Sequence, residues 1–160
     1  MPYQDNYLIL SSAQTVLSSG STASNTPFDL GKQISGEYGQ SPYATTNLNF
    51  ITGGAQIGQS VKKFFFQVKI NYGASGGTAG VGLTVALQSN ATSGASGWVS
   101  VFSTAKILKG TTPYLTTAGM LICKVPLFEE ASMNRYIKGL YTIGTGTFTA
   151  FKIDAELSTY

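Results

Sequence analysis

The chemistry open to this chain is limited first by a gap in its residue set, because its 160 residues include no histidine. That removes the commonest general base and the commonest neutral metal ligand together. The carboxylates offer two pairings. Asp154 and Glu156 stand two residues apart, so on a strand they share a face and could in principle work as paired acids. The same spacing describes the solvent side of an amphipathic strand, and that is how we read it. Glu129 and Glu130 are adjacent, so a strand sends them to opposite faces and a turn leaves both in water. No Gly-x-Ser-x-Gly pattern marks a serine nucleophile. Ser35-Gly36-Glu37 and Ser93-Gly94 fall in stretches where Ser and Gly serve turns. Cys123 is the one cysteine, which excludes an intrachain disulfide and the familiar zinc spacings. It lies in the apolar run Leu121-Ile122-Cys123-Lys124-Val125 and reads as a small buried strand residue. The glycine-rich stretches 73–80 and 144–146 are not followed by Lys-Ser/Thr or by a helix, so neither reads as a phosphate cradle. The residues therefore predict no catalytic, metal or cofactor site, and the chain is not expected to be an enzyme.

Partners are constrained by charge. Only 11% of residues are charged, against roughly 25% in an average soluble domain. Ser, Thr, Gly and Asn take their place, while 42% apolar and 12% aromatic residues supply a core. The net charge of +3 comes from scattered Lys and Arg, densest at Lys62-Lys63 with Lys69 beyond. A nucleic-acid binder concentrates such charge in a patch or stripe among stacking aromatics, so no nucleic-acid partner is expected. No apolar run reaches the ~18 residues of a membrane helix, and no membrane partner is expected. Met1-Pro2-Tyr3-Gln4-Asp5 has no basic leader character and Tyr7-Leu8-Ile9-Leu10 is too short for a signal core. We therefore expect a soluble protein made in a cytoplasm, in which the glycosylation sequon Asn90-Ala91-Thr92 carries no weight.

The elements that hold these residues read as strands. Gly and turn formers recur too often for helices, since Gly costs about 1 kcal/mol relative to Ala inside one. Residues 151–157 alternate, with Phe151, Ile153, Ala155 and Leu157 on one face and Lys152, Asp154 and Glu156 on the other. Phe148 and Ala150 are in the opposite phase, which a bulge near Ala150 reconciles. Val81, Leu83, Val85 and Leu87 face a core, with Gly82, Thr84, Ala86 and Gln88 outward. Phe64, Phe66, Val68 and Ile70 point inward, and so do Ile137, Gly139, Tyr141 and Ile143. Weaker strands are read at 7–10, 47–51, 98–102 and 120–125. Residues 18–26, 73–80 and 90–97 read as exposed loops, and Gly144-Thr145-Gly146 as a tight hairpin turn. About eight short strands in one domain, 1–160, predict an all-β antiparallel sandwich of jelly-roll type.

Phe65 breaks the pattern as an aromatic on an outward face. Either a loop covers it or it belongs to an interface, and a surface so poor in charge predicts that some face is buried against a partner.

Several segments together resemble the Bordetella-phage-type capsid cement (decoration) protein family. They are Ser11-Ser12-Ala13-Gln14 with Phe28-Asp29-Leu30-Gly31, then Leu83-Thr84-Val85-Ala86-Leu87-Gln88-Ser89-Asn90. The most specific block starts at Val125-Pro126-Leu127 and Arg135-Tyr136-Ile137-Lys138-Gly139-Leu140-Tyr141. It continues through Gly144-Thr145-Gly146-Thr147-Phe148-Thr149-Ala150-Phe151 to Leu157, resembling the family's C-terminal hairpin. The resemblance implies a jelly-roll-like sandwich that sits on the outer capsid surface of a virion as a small homo-oligomer, dimer or trimer. Its partner there is the major capsid protein, whose neighbouring subunits it clamps. Residues 32–60 depart from the family and read as an inserted loop or hairpin. With Tyr38 and Tyr43, they supply a further capsid contact, an oligomer contact or an outward protrusion. Tyr38, Tyr43 and Phe65 are the candidate interface residues. The rival reading is a glycan- or receptor-binding sandwich of a phage fibre or adhesin, which calls for clustered aromatics beside Asp, Asn or Arg; Trp98 is the only tryptophan.

Overall fold

The computed structural model describes residues 9–24, 27–29, 65–110, 113–126 and 136–158. Alternation of apolar and polar residues, with Gly and Thr between runs, produces strands throughout. They are β1 (Ile9–Thr15), β2 (Gly20–Ala23), β3 (Phe28–Asp29), β4 (Phe65–Ser75), β5 (Gly82–Asn90), β6 (Val99–Ser103), β7 (Ile107–Leu108), β8 (Leu121–Pro126), β9 (Tyr136–Ile143) and β10 (Ala150–Ser158). Among the described residues, a 3-10 helix, Pro113–Thr116, interrupts the series.

All pairings are antiparallel and fall into two sheets. The first has the order β1-β10-β4-β8; the second has β2-β9-β5-β6, with β3 also on β9 and β7 also on β5. Because β2 and β3 share one neighbour, as do β6 and β7, the ten segments fill eight strand positions. The pairs β1–β10, β2–β9, β4–β8 and β5–β6 nest outermost with innermost along the chain, which is a long hairpin rolled into two layers, the jelly-roll topology expected.

The inward faces meet in one cluster. Phe66, Val68 and Ile70 of β4 and Phe151, Ile153, Ala155 and Leu157 of β10 oppose Leu83, Val85 and Leu87 of β5 and Ile137, Tyr141 and Ile143 of β9. Each inward set matches the alternation of the sequence. The bulge expected near Ala150 is present as register shifts between Ala150 and Ile153. Leu115 of the 3-10 helix is fully buried and closes one end of the core.

Four expectations are corrected. The stretch 144–146 does not turn a hairpin: β9 lies in one sheet and β10 in the other, so the chain crosses the sandwich there. Residues 18–26 are not all loop, since Gly20–Ala23 pairs with Leu140–Ile143 as β2. β4 runs through Gly73 to Ser75, because Ala150 pairs with Ser75 despite the glycine. Gly82 and Ala86 lie on the outer face yet are buried; Lys106 and the Ile107 carbonyl crowd Gly82, and Ala86 sits between Leu140 and Ser103 on both neighbouring strands. Of the weaker strands, that at 7–10 is realised as β1 from Ile9 onward, 98–102 as β6 and 120–125 as β8. The strand at 47–51 and the insertion at 32–60 lie outside the described residues.

Candidate interaction surfaces

Among the described residues, the outward face of the first sheet is rich in charge, part of it arranged in links between strands. Glu156 on β10 accepts from Gln67 Nε2 and, at 3.3 Å, from Lys69 Nζ, both on β4. Asp154 accepts from the Ala13 amide at 2.6 Å and from Asn71 Nδ2 at 2.9 Å. The two carboxylates that could have been paired acids are thus each bound to donors on neighbouring strands. Among the described residues, no three of His, Cys, Asp and Glu gather as a metal site would require.

Phe65 opens β4, opposite Pro126 and Ser158. It is half-buried, and Lys124 of β8 holds its ammonium 4.7 Å from the ring centroid. A neighbouring strand's cation therefore stands over this aromatic. Tyr38 and Tyr43 lie outside the described residues, so the three candidate interface residues are not seen together. Exposed apolar side chains that sequence reading missed are Tyr72 on β4, Val99 on β6 and Leu121 on β8, at 55%, 60% and 43% exposure. Local alternation could not have found them, because bulges at Asn71, Val101 and Ile122 reset the phase of their strands.

The outer face of the second sheet is different in kind. Thr84, Gln88, Lys138, Leu140 and Thr142 line it, with Ser21 bonded to Thr142 at 2.8 Å. Lys138 on this face lies 4.1 Å over the Trp98 ring; burial pushes the Lys138 ammonium below its ordinary range. Trp98 in turn donates to the Gly94 carbonyl at 2.7 Å, and Asn90 donates to Ser96 O at 2.6 Å. These bonds hold residues 91–98 as a compact, exposed loop.

Inside the sandwich, Tyr141 is fully buried. Its hydroxyl meets Ser11 Oγ at 2.9 Å; Ser11 donates to Gln14 Oε1 at 2.5 Å, and Gln14 Nε2 donates to Ala23 O at 2.5 Å. The relay joins β1, β2 and β9 through their polar groups. Burial pushes the Tyr141 phenol well above its usual range and the Cys123 thiol up to about 11, the latter partly offset by a backbone hydrogen bond from Val68.

The Bbp16 family, a Bordetella phage protein family, matches residues 10–157. This chain belongs to the Bbp16 family. No curated protein matches it. The match begins in β1 and ends in β10, so it takes in every strand of both sheets.

Proposed function

We propose that this Bbp16-family protein is a capsid cement protein, which binds the outer surface of an assembled phage shell and clamps neighbouring major capsid protein subunits. The observation that carries the reading is membership of a phage protein family across the whole jelly roll, residues 10–157. The residue chemistry supports it. The strand-to-strand bonds of Asp154 and Glu156, a hydroxyl-rich sheet face and ordered short loops suit a protein whose work is contact. Such work is thermodynamic: a ligand that binds the assembled shell and not free subunits stabilises the shell by mass action. A homo-oligomer, dimer or trimer, would present each contact more than once and multiply weak contacts into firm attachment. No nucleic acid, membrane, metal or catalytic step enters this role. The glycan-binding alternative wants an open aromatic face, and Lys138 stands over the ring of Trp98.

The test is copy number in purified virions, by quantitative mass spectrometry. A cement protein approaches the major capsid protein in abundance; a few copies per particle would exclude the role.

A further inference from the structure

Residues 9–24 are attached to the sandwich differently from the strands they lie against. β1 stands at the edge of one sheet beside β10, and β2 at the edge of the other beside β9. With the connection 16–19 between them, they close one side of the two-layer body. The strands beneath are held by apolar side chains: β10 buries Phe151, Ile153, Ala155 and Leu157, and β9 buries Ile137, Tyr141 and Ile143. Within 9–24, the fully buried apolar side chains are Leu10 and Val16 alone, while Ser11, Gln14 and Ser24 are buried polar groups.

The other attachments are hydrogen bonds. Beyond the two ladders, the Val16 amide donates to Phe151 O, the Phe148 amide to Leu17 O and the Ser24 amide to Gly139 O. Asp154 takes the Ala13 amide, and the Ser21 and Thr142 hydroxyls meet. Water can replace each of these at small net cost, whereas lost apolar burial has no substitute in solvent. The segment is also tied to itself. Gln14 on β1 accepts from Ser11 and donates to the Ala23 carbonyl on β2, so strands of different sheets are joined within one stretch of chain. From that relay a single bond, Ser11 Oγ to the Tyr141 hydroxyl at 2.9 Å, reaches the body.

We propose that residues 9–24 form a strap, coupled through Gln14, that opens as one unit while the rest of the sandwich stays folded. Units that open locally are drawn from regions with few buried apolar contacts. Closed, its ground state, the strap makes this side of the molecule a wall. Open, it uncovers the Tyr141 hydroxyl, the edge of β10 and the stretch of β9 that pairs with β2. A strand added to either sheet on this side must displace the strap first. The inference concerns the folded chain alone and does not rest on the cement reading.

The test is amide hydrogen exchange of the purified full chain, read residue by residue by NMR at low urea concentrations. After correction for intrinsic rates, the ladder amides of β1 and β2 should share one rate within about twofold. That rate should be at least about tenfold faster than the slowest amides of β4 and β5, and less sensitive to urea. Leu115→Ala weakens the body from the 3-10 helix, which packs on β4 and on β8 at the far edge from β1. It should speed β4 and β5 by at least about tenfold and leave the strap within about twofold. Should the alanine variant not fold, Leu115→Val makes the same comparison with a smaller rise in the body, about threefold. Gln14→Ala should split β1 and β2 into rates more than about threefold apart. Strap amides no faster than the body, or accelerating in step with it in the Leu115 variant, mean one cooperative fold and overturn the proposal. Unlike rates for β1 and β2 in the wild type mean two independently fraying edges and overturn it as well. A shared rate that survives Gln14→Ala overturns the assignment of the coupling to that residue.

Discussion

Tyr141 is the residue on which the centre of the sandwich is organised. Its ring fills the core and its hydroxyl starts the relay through Ser11 and Gln14 to the Ala23 carbonyl. Gly139 is part of the same fit, because a Cβ there would run into the Tyr141 hydroxyl, while its amide and carbonyl bond Ser24. Tyr141→Phe removes one hydrogen bond but leaves Ser11 bound to Gln14, so the expected cost is about 1 kcal/mol. Gly139→Ala forces the buried ring to move and should cost more, about 1–3 kcal/mol. Urea midpoints at unchanged slope check both. Cys123 gives a pH-dependent prediction. Its folded thiol titrates at about 11 because burial disfavours the thiolate, whereas an unfolded cysteine titrates near ~8.5. The stability it contributes is therefore complete below the unfolded value and is lost as pH rises toward about 11. At pH 8 the native thiol should react with iodoacetamide on the order of a hundredfold more slowly than in denaturant. Equal rates would mean an open thiol.

The strands show how the edges of an open sandwich are managed. β1, β6 and β8 stand at sheet edges, and each has a register shift against its neighbour, which breaks the regular row of backbone groups an edge would offer another chain. The bulge in β1 is built on Ala13, whose φ of 45° is left-handed and costs an alanine about 1–2 kcal/mol. Asp154 holds it there through the Ala13 amide. Asp154→Ala should therefore lower stability by about 1–2 kcal/mol. Ala13→Gly, which relieves the backbone but loosens the unfolded chain, should be neutral or stabilising by up to about 1 kcal/mol. Thermal melts of the two variants should move in these directions. Strands with clean alternation, such as 151–157 and 137–143, could be read from the sequence because each inward position reaches one shared core. β2 could not, since Gly-Ser-Thr-Ala has no apolar alternation and becomes a strand only by pairing with β9. The Gly144-Thr145-Gly146 signal was misread for a related reason. A local glycine pattern specifies a change of direction, while the sheet that receives the next strand is decided by long-range pairing. Among the candidate interface residues, Phe65 was legible as an outward aromatic, but Lys124 above it belongs to a strand 59 positions away, and local sequence has no means of joining them.

For the whole molecule, a rolled hairpin with one core makes a rigid body, which is what a clamp between larger subunits requires. Rigidity matters because a flexible linker between two contacts would hold both without resisting their separation. On the cement reading, the free energy of attachment appears as shell stability. With protein at a hundred times its dissociation constant, each site gains about 2.7 kcal/mol over the bare shell. Heads assembled without the chain should therefore rupture at a higher temperature when the purified protein is added back. The rise should follow protein concentration, track the number of bound copies and level off when the sites are full. High salt should lower both occupancy and rupture temperature together, since one set of contacts is responsible for both. Full occupancy with an unchanged rupture temperature would mean that the protein decorates the shell without bridging its subunits, because binding that leaves the open and closed shell equally favoured stabilises neither.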